Sequence, residues 1–333
     1  MLAYASDLAA LTAACVAVQL GPPGDPLEAV RRTQDKLLLR EAQGDAGLPT
    51  PAFVDASDES ALSDLAARSA AGVAIKPTDA SGSKGVTLLP PEARAEDMAQ
   101  AVEQALAASR SRRAIAEEVW GVGTLQFGGD VLVWEGELRF ASFGDQVMSP
   151  VPGSRINIGV LCPTSAPVDA VDEARRQVGS LVAALGLRHG AYNVEFRTAE
   201  DGRLTIIDLG ARIGGNLLGI VHLLATGVDL VTATILMALG ELPPVPATPR
   251  ESRHAGHLVL HSQIAGVLES IDLSEELRSI AQDIVIAAKP GDAVRPYRTS
   301  ADRLGVLVMA SDDRSLLESV YRHAPNFLSV ALR

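Results

Sequence analysis

Two acidic residues, Glu195 and Asp208, sit in consecutive β-prone runs, Ala191–Arg197 and Thr205–Gly210. Between the runs lies Thr198-Ala-Glu-Asp-Gly202, and Asp-Gly flanked by such runs predicts a β-hairpin. If Asp201-Gly202 is a two-residue loop, Glu200 faces Arg203, and the same register sets Glu195 directly opposite Asp208. Paired residues on one face have Cβ atoms roughly 5 Å apart, so two carboxylates there repel. A divalent cation between them reverses the sign, and hard oxygen ligands suit Mg²⁺ shared with phosphates. Arg212 follows four residues after Asp208, just before a Gly214-Gly215-Asn216 bend whose glycines let backbone approach a ligand. For the hairpin alone, an incidental acidic pair on a solvated face stays open.

The cations narrow the choice. The chain holds 29 Lys and Arg, of which only Lys36, Lys76, Lys84 and Lys289 are lysines. Lysine is a compact point charge suited to phosphate, and three of these four lie in the first quarter of the chain near turn or glycine signals. Lys76 ends the strand-like run Val73–Pro77, and Asp79-Ala-Ser-Gly-Ser-Lys-Gly85 follows it. The amides of such a loop can cradle phosphate, although its glycine spacing is neither a P-loop nor a dinucleotide fingerprint. Lys36, Lys76, a Gly/Ser loop, an acidic pair and Arg212 form a set suited to a nucleoside triphosphate with Mg²⁺. Cations hold phosphates, carboxylates hold metal, and the loop excludes water.

The elements that must position these residues read as follows. Helices are predicted over Ser6–Leu20, Pro26–Gln43, from Asp55 or Ser57 to roughly Ser69, over Ala93–Ser109 and over Val171–Leu185. Strands are predicted over Ala52–Val54, Val73–Pro77, Val86–Leu88 and Ala114–Val119, with a hairpin over Asp130–Phe143 turning at Glu135-Gly136. Val147–Pro167 reads as a long, Pro/Gly-rich functional loop. Leu217–Leu242 reads as one or two apolar helices broken at Thr226-Gly227, and a terminal lobe follows from His254.

Composition bounds the function. A length of 333 residues, 47% hydrophobic and 21% charged, describes a globular protein of two or three lobes. A net charge of −12 argues against nucleic acid as a bulk partner. Cys15 and Cys162 are too few for a disulfide framework. No run has the length of a membrane span, and Leu8–Leu20 lacks the basic flank of a signal peptide, so a cytoplasmic location is expected. His254, His257 and His261 do not share one face of a strand, which disfavours a zinc site.

With these motifs in order, the chain resembles the ATP-grasp carboxylate–amine ligases, most closely those that join amino acids into dipeptides. The resemblance runs from about Leu8 to Arg333 and rests on Asp35-Lys36, Ile75-Lys76-Pro77, Ser81-Gly-Ser-Lys-Gly-Val86, Glu117-Glu118, Asn193-Val-Glu195 and Asp208–Gly215. Ala225–Asp229 and Pro290–Arg295 match later landmarks. It implies an α/β (α+β) fold of mixed and antiparallel sheets in two lobes around ATP, with a small C-terminal α+β lobe. The expected domains are a remnant N-terminal lobe at 1–33, a core at 34–72 and 121–245, a lid at 73–120, and a C-terminal lobe at 250–333. It implies ATP and Mg²⁺, with Lys36, Lys76 and the loop Ser81, Gly82, Ser83, Lys84, Gly85 and Val86 on the phosphates. Glu117, Glu118, Val119 and Trp120 would form the hinge whose backbone reads adenine, and Gln126 would lie near the ribose. Glu195 and Asp208 would hold Mg²⁺, and Arg212 would act in catalysis. Asn157, Gly214, Gly215 and Asn216 would meet substrate. The implied reaction activates a carboxylate as an acyl phosphate and joins it to an amine, with small-molecule acids and amines as partners and no membrane. The alternatives are an ATP-binding subunit without turnover and an acyl-phosphate-forming enzyme with a different acceptor.

The chain departs from that family pattern in three places. Only 35 residues precede Lys36, where the family has a full α/β lobe. A truncated start, a homodimer or partner chain supplying that surface, or different substrate recognition would each account for it. The position expected to carry a ribose-binding acid falls at Thr124 or Gln126. The substrate stretch Arg155–Val160 offers Asn157 and Val160 where dipeptide ligases carry Glu and His, which makes a free α-amino acid a doubtful first substrate.

Overall fold

The computed structural model describes residues 2–121, 124–151, 156–246 and 253–333. Its framework is an antiparallel sheet of eight strands. In spatial order these are Ala281–Ile286, Gly305–Ser311, His254–Leu260, Asn157–Cys162, Glu137–Met148, Gln126–Trp134, His189–Thr198 and Leu204–Gly210. Alternation along each strand divides the sheet into two faces. Tyr192, Val194 and Phe196 point to one side, where Phe196 stacks on Phe127 with centroids 5.2 Å apart. The helices Val168–Leu185 and Lys36–Asp45 pack there through Val178, Leu181, Val182, Leu39 and Ala42. Asn193, Glu195 and Arg197 therefore take the opposite face.

Above that face stands a smaller antiparallel sheet, ordered Phe53–Asp55, Ala114–Glu118, Val73–Pro77 and Thr87–Leu89. The helices Glu59–Arg68 and Ala95–Ala108 pack on it through Leu62, Leu65, Ala101 and Ala105. A third sheet, of Ala293–Val294, Gly266–Leu273 and Leu328–Leu332, lies at the C-terminal end.

Several expectations are revised. The helix read as Pro26–Gln43 is two, Leu27–Gln34 and Lys36–Asp45, because Asp35 ends the first and caps the second. Its Oδ1 accepts from the Leu37 amide at 2.9 Å, the local bond by which Asp competes with helix interior. The long loop Val147–Pro167 contains the strand Asn157–Cys162, a central member of the large sheet; Arg155 falls outside the described residues. The expected domain limits do not follow the sheets. Phe53–Asp55, assigned to the core, belongs to the lid sheet, and three strands of the C-terminal segment complete the large sheet, while the rest of that segment builds the third sheet and a core around Leu277, Leu317 and Phe327. The Glu135-Gly136 turn agrees with its sequence: both residues have positive φ, 55° and 83°, as the right-handed twist of a tight hairpin requires. Among the described residues no single helix is long and apolar enough to cross a membrane.

Candidate active site

A cavity of about 640 Å³ lies between the two large sheets, a size suited to small-molecule ligands. Its floor carries the acidic pair: Glu195 stands directly opposite Asp208. The hairpin reaches this register by a route the sequence did not indicate. Ala199 N donates to Arg203 O at 2.7 Å, so the loop holds three residues, Glu200 to Gly202, with Gly202 at φ 83°. That loop alone would shift the pairing by one residue. A bulge at Ile207, between the pairs Phe196–Ile206 and Glu195–Asp208, restores it. Burial, and then the charge of Asp208, raises the Glu195 carboxyl above its ordinary range. Burial opposes the Asp208 carboxylate as well, but Lys36, Lys76 and Arg212 outweigh it and hold Asp208 low. The two carboxyls are thus pushed apart, Glu195 toward its protonated form and Asp208 toward its ionised form.

The lysines converge from separate elements. Lys36 opens its helix, with its amide donating to Thr78 O at 2.9 Å. Its Nζ lies 3.3 Å from Asp208 Oδ1 and donates to Ala80 O at 3.2 Å, which links the start of the lid loop to the acidic pair. Lys76 Nζ sits 2.7 Å from Glu117 Oε2, and burial pushes its pKa down to about 8. Glu117 also receives Arg40 Nε at 3.0 Å. Arg40 is completely buried and donates to Ile206 O and Ile207 O, at the bulge, at 3.1 and 2.8 Å. Nothing in the sequence marks Arg40, because a helical arginine ordinarily faces water.

The hinge behaves differently from expectation. Glu117, Glu118, Val119 and Trp120 line the cavity, but the amides of Glu118 and Val119 donate to Ala52 O and Gly72 O at 2.8 and 3.0 Å. Those two amides are unavailable to a base, and the Glu117 side chain serves Arg40 and Lys76. Gln126 occupies the expected ribose end, where Arg197 Nη2 donates to its Oε1 at 2.6 Å and its amide bonds Gln146. Thr124 is structural: its Oγ1 donates to Gly121 O and Thr198 O at 2.8 and 2.6 Å.

In the lid loop Ser81, Gly82, Ser83 and Val86 line the cavity, whereas Lys84 and Gly85 do not. Lys84 is exposed. A Cβ on Gly85 would come within 2.6 Å of Ala108 Cβ, so that glycine seats the loop on its helix. Gly82 is backed by Ser300 of the C-terminal segment, with no room for a side chain between them.

Arg212 lines the substrate side, and its Nε donates to Asp7 Oδ1 at 2.9 Å. Gly214, Gly215 and Asn216 line the same wall, as does Asn157, whose Oδ1 accepts from the Gly159 amide at 2.7 Å. Asn216 and Leu217 both adopt positive φ, 52° and 61°, at a strain of roughly 1–3 kcal/mol each. The turn is fastened by Asp130, completely buried, whose Oδ1 accepts from Gly214 N and Asn193 Nδ2, both at 2.8 Å. Burial lifts the Asp130 carboxyl to about 6, and the buried His222 beside it, Nε2 3.6 Å from Oδ2, falls to about 3. Both residues escaped the sequence reading. Within the alternating run Asp130–Phe143 an aspartate passes for a solvent-facing position.

Two sheets closing on a cavity, with lysines above and paired carboxylates below, define the ATP-grasp fold. The same fold is found in L-amino acid ligase from Bacillus licheniformis, at a TM-score of 0.83 and 22% identity over 99% of this chain and 79% of that one. It is found too in the biotin carboxylase domain of Hydrogenobacter thermophilus 2-oxoglutarate carboxylase, solved with MgADP and bicarbonate. There the TM-score is 0.75 at 16% identity, over 97% of this chain and 73% of that one. The chain thus has the ATP-grasp fold, and its residues 258–333 match the family model "L-amino acid ligase C-terminal domain 2". An uncharacterized protein of Sinorhizobium fredii, y4rH, is 24% identical over 323 residues, 91% of this chain. Carnosine synthase 1 of Gallus gallus is 30% identical over 135 residues, 40% of this chain. The chain spans 62% and 14% of the lengths of these two relatives.

Proposed function

We propose that this protein is an ATP- and Mg²⁺-dependent ligase that activates a carboxylate as an acyl phosphate and joins it to an amine, releasing ADP and phosphate. The observation that carries the proposal is the opposed pair Glu195 and Asp208 on the cavity floor. Such a pair opposes folding by itself, and a hard cation converts it into a binding site. Two carboxylates suit Mg²⁺, an ion that takes one or two carboxylates and fills its shell with phosphates and water. Bound there, Mg²⁺ would supply the positive charge that neutralises the triphosphate.

The chain's own residues would do the rest. Lys36 and Lys76 direct their ammonium groups into the cavity and orient phosphate oxygens. The loop from Ser81 to Val86, seated on Ser300, keeps water from the acyl phosphate. Arg212, held by Asp7, faces the place where the phosphoryl group passes to the carboxylate oxygen as ADP leaves. The same guanidinium then stabilises the oxyanion formed when the amine nitrogen attacks the acyl carbon. Phosphate departs as the amide bond forms, and the amine gives up its proton. The Gly214-Gly215 turn, fixed by Asp130 through the Gly214 amide, walls that centre closely because it carries no side chains.

The test is ADP release with ATP, Mg²⁺ and paired panels of acids and amines, with products identified by mass spectrometry. Release that requires both an acid and an amine, together with the corresponding amide mass, is the expected result. Release that needs no amine would favour a different acceptor, and no ADP with any pair would overturn the proposal.

A further inference from the structure

The strand His254–Leu260 places one polar side chain on the cavity wall, His257. It is 3% exposed, and its Nδ1 has no hydrogen-bond partner. His257 stands directly opposite Val160 on one neighbouring strand and Val308 on the other. Val160 in turn stands opposite Gln146. The imidazole thus continues the cross-strand row of the hydrogen-bonded ladder Arg197–Gln126–Gln146, two strand spacings or roughly 10 Å beyond it.

Its surroundings differ from those of the ladder. Val160, Val308 and Leu218 belong to one apolar cluster, with Leu217 packed against it. Leu218 also closes against Gly214, so this wall adjoins the strained turn beside Arg212. Burial in that setting lowers the imidazole pKa to about 4. At neutral pH the ring is uncharged, with one donor and one acceptor nitrogen. A buried polar group without a partner is costly to keep, and the residue that carries it lines the cavity.

We propose that His257 determines substrate specificity: its neutral imidazole hydrogen-bonds an uncharged polar group on a substrate side chain that otherwise packs on Val160, Leu217 and Leu218. This inference rests on the ligase reading. A charged side chain would be buried against those apolar residues without compensation. A purely apolar one would leave the imidazole unpaired, the arrangement by which a polar site rejects an analogue lacking the matching group.

The experiment compares the protein with its His257→Phe and His257→Asn variants in amide formation. One panel varies the acid against a fixed amine, and the other varies the amine against a fixed acid. Each panel pairs side chains of equal size with and without a neutral hydrogen-bonding group, threonine against valine and asparagine against leucine. In one panel His257→Phe is expected to reduce the kcat/KM preference for the polar member by about tenfold or more, and His257→Asn to restore most of it. The panel that responds identifies whether the acid or the amine contacts His257. If His257→Phe does not fold, His257→Val, matched to the flanking valines, replaces it. Preferences that stay within about twofold in both panels overturn the inference while the ligase reading stands. Absence of amide product with the unaltered protein overturns both.

Discussion

Glu117 is where the lid, the core helix and the acidic hairpin meet, so its substitution has a calculable cost. The carboxylate is 5% exposed and lies 3.0 Å from Arg40 Nε and 2.7 Å from Lys76 Nζ. Glu117→Gln keeps the shape and removes the charge, leaving an amide NH₂ facing one of two buried cations. Losing one partner of a buried ion pair costs about 3–5 kcal/mol. Lys76, already at about 8, drops further without the Glu117 charge and can become neutral, which relieves part of the loss. The low end, about 3 kcal/mol, is therefore expected, a large share of the 5–15 kcal/mol typical of a folded protein. Urea unfolding without nucleotide should show a lower midpoint at an unchanged slope. Glu118→Gln is the control: among the described residues its carboxylate accepts from Trp120 Nε1, at 3.0 Å, and its loss should stay below about 1 kcal/mol. A Glu117→Gln midpoint equal to that of Glu118→Gln would refute the reasoning and return Glu117 to the role of a nucleotide contact.

Asp208→Asn should abolish Mg²⁺-dependent ADP release and also lower the metal-free midpoint, because the lost ion pair with Lys36 outweighs the relieved repulsion with Glu195; a metal-free midpoint unchanged or higher would contradict this. Arg212→Lys should keep ATP affinity within about threefold by calorimetry and lower turnover at least about a hundredfold, since lysine lacks the planar pair of donors. If affinity falls in step with turnover, Arg212 is only a nucleotide anchor. Stability should also fall in mild acid. The folded His257 titrates near 4 against an ordinary value of 6.5, so the unfolded chain binds the extra proton between those pH values. The stability it contributes is complete above pH 6.5 and declines as pH drops through the folded pKa, by up to roughly 3 kcal/mol. His257→Phe should flatten that decline in midpoints measured from pH 7 to 4; an unchanged slope would refute a buried, neutral His257.

How far the site was legible depends on whether chemistry or packing placed each residue. Glu195, Asp208 and Arg212 were readable because carboxylates in a strand pattern and an arginine beside glycines conflict with local preference, and such conflicts mark function. Their register was reached with the wrong loop: a three-residue turn and a bulge cancel, and a bulge leaves no signal in residue type. Arg40, Asp130 and His222 were invisible for a different reason. Each is polar and completely buried, and each has a hydrogen-bond partner 60 or more positions away, Ile206, Gly214 and Ser142 respectively. Periodicity treats such residues as surface. The break at Asp35 could have been found, since Asp before Lys36 is a helix-start signal inside a run otherwise read as one helix.

The charges of the cavity wall add a last constraint on what can enter. At full ionisation the lining cations are Lys36, Lys76, Arg197, Arg212 and Arg303, and the lining anions are Asp7, Glu117, Glu118, Glu195 and Asp208, five against five. The site is thus neutral before any ligand arrives, and its closest pairs, Lys36 with Asp208 and Lys76 with Glu117, are already formed. A bare triphosphate would bring several negative charges into a buried, balanced site and would have to break those pairs. A triphosphate carrying divalent cations brings its own balance. The metal can take over Asp208 and release Lys36 toward a phosphate oxygen, and its charge would favour the ionised form of Glu195 against burial and the charge of Asp208. On this argument nucleotide and metal bind with positive coupling, which by linkage is equal in both directions, and the acidic pair is the element through which that coupling acts.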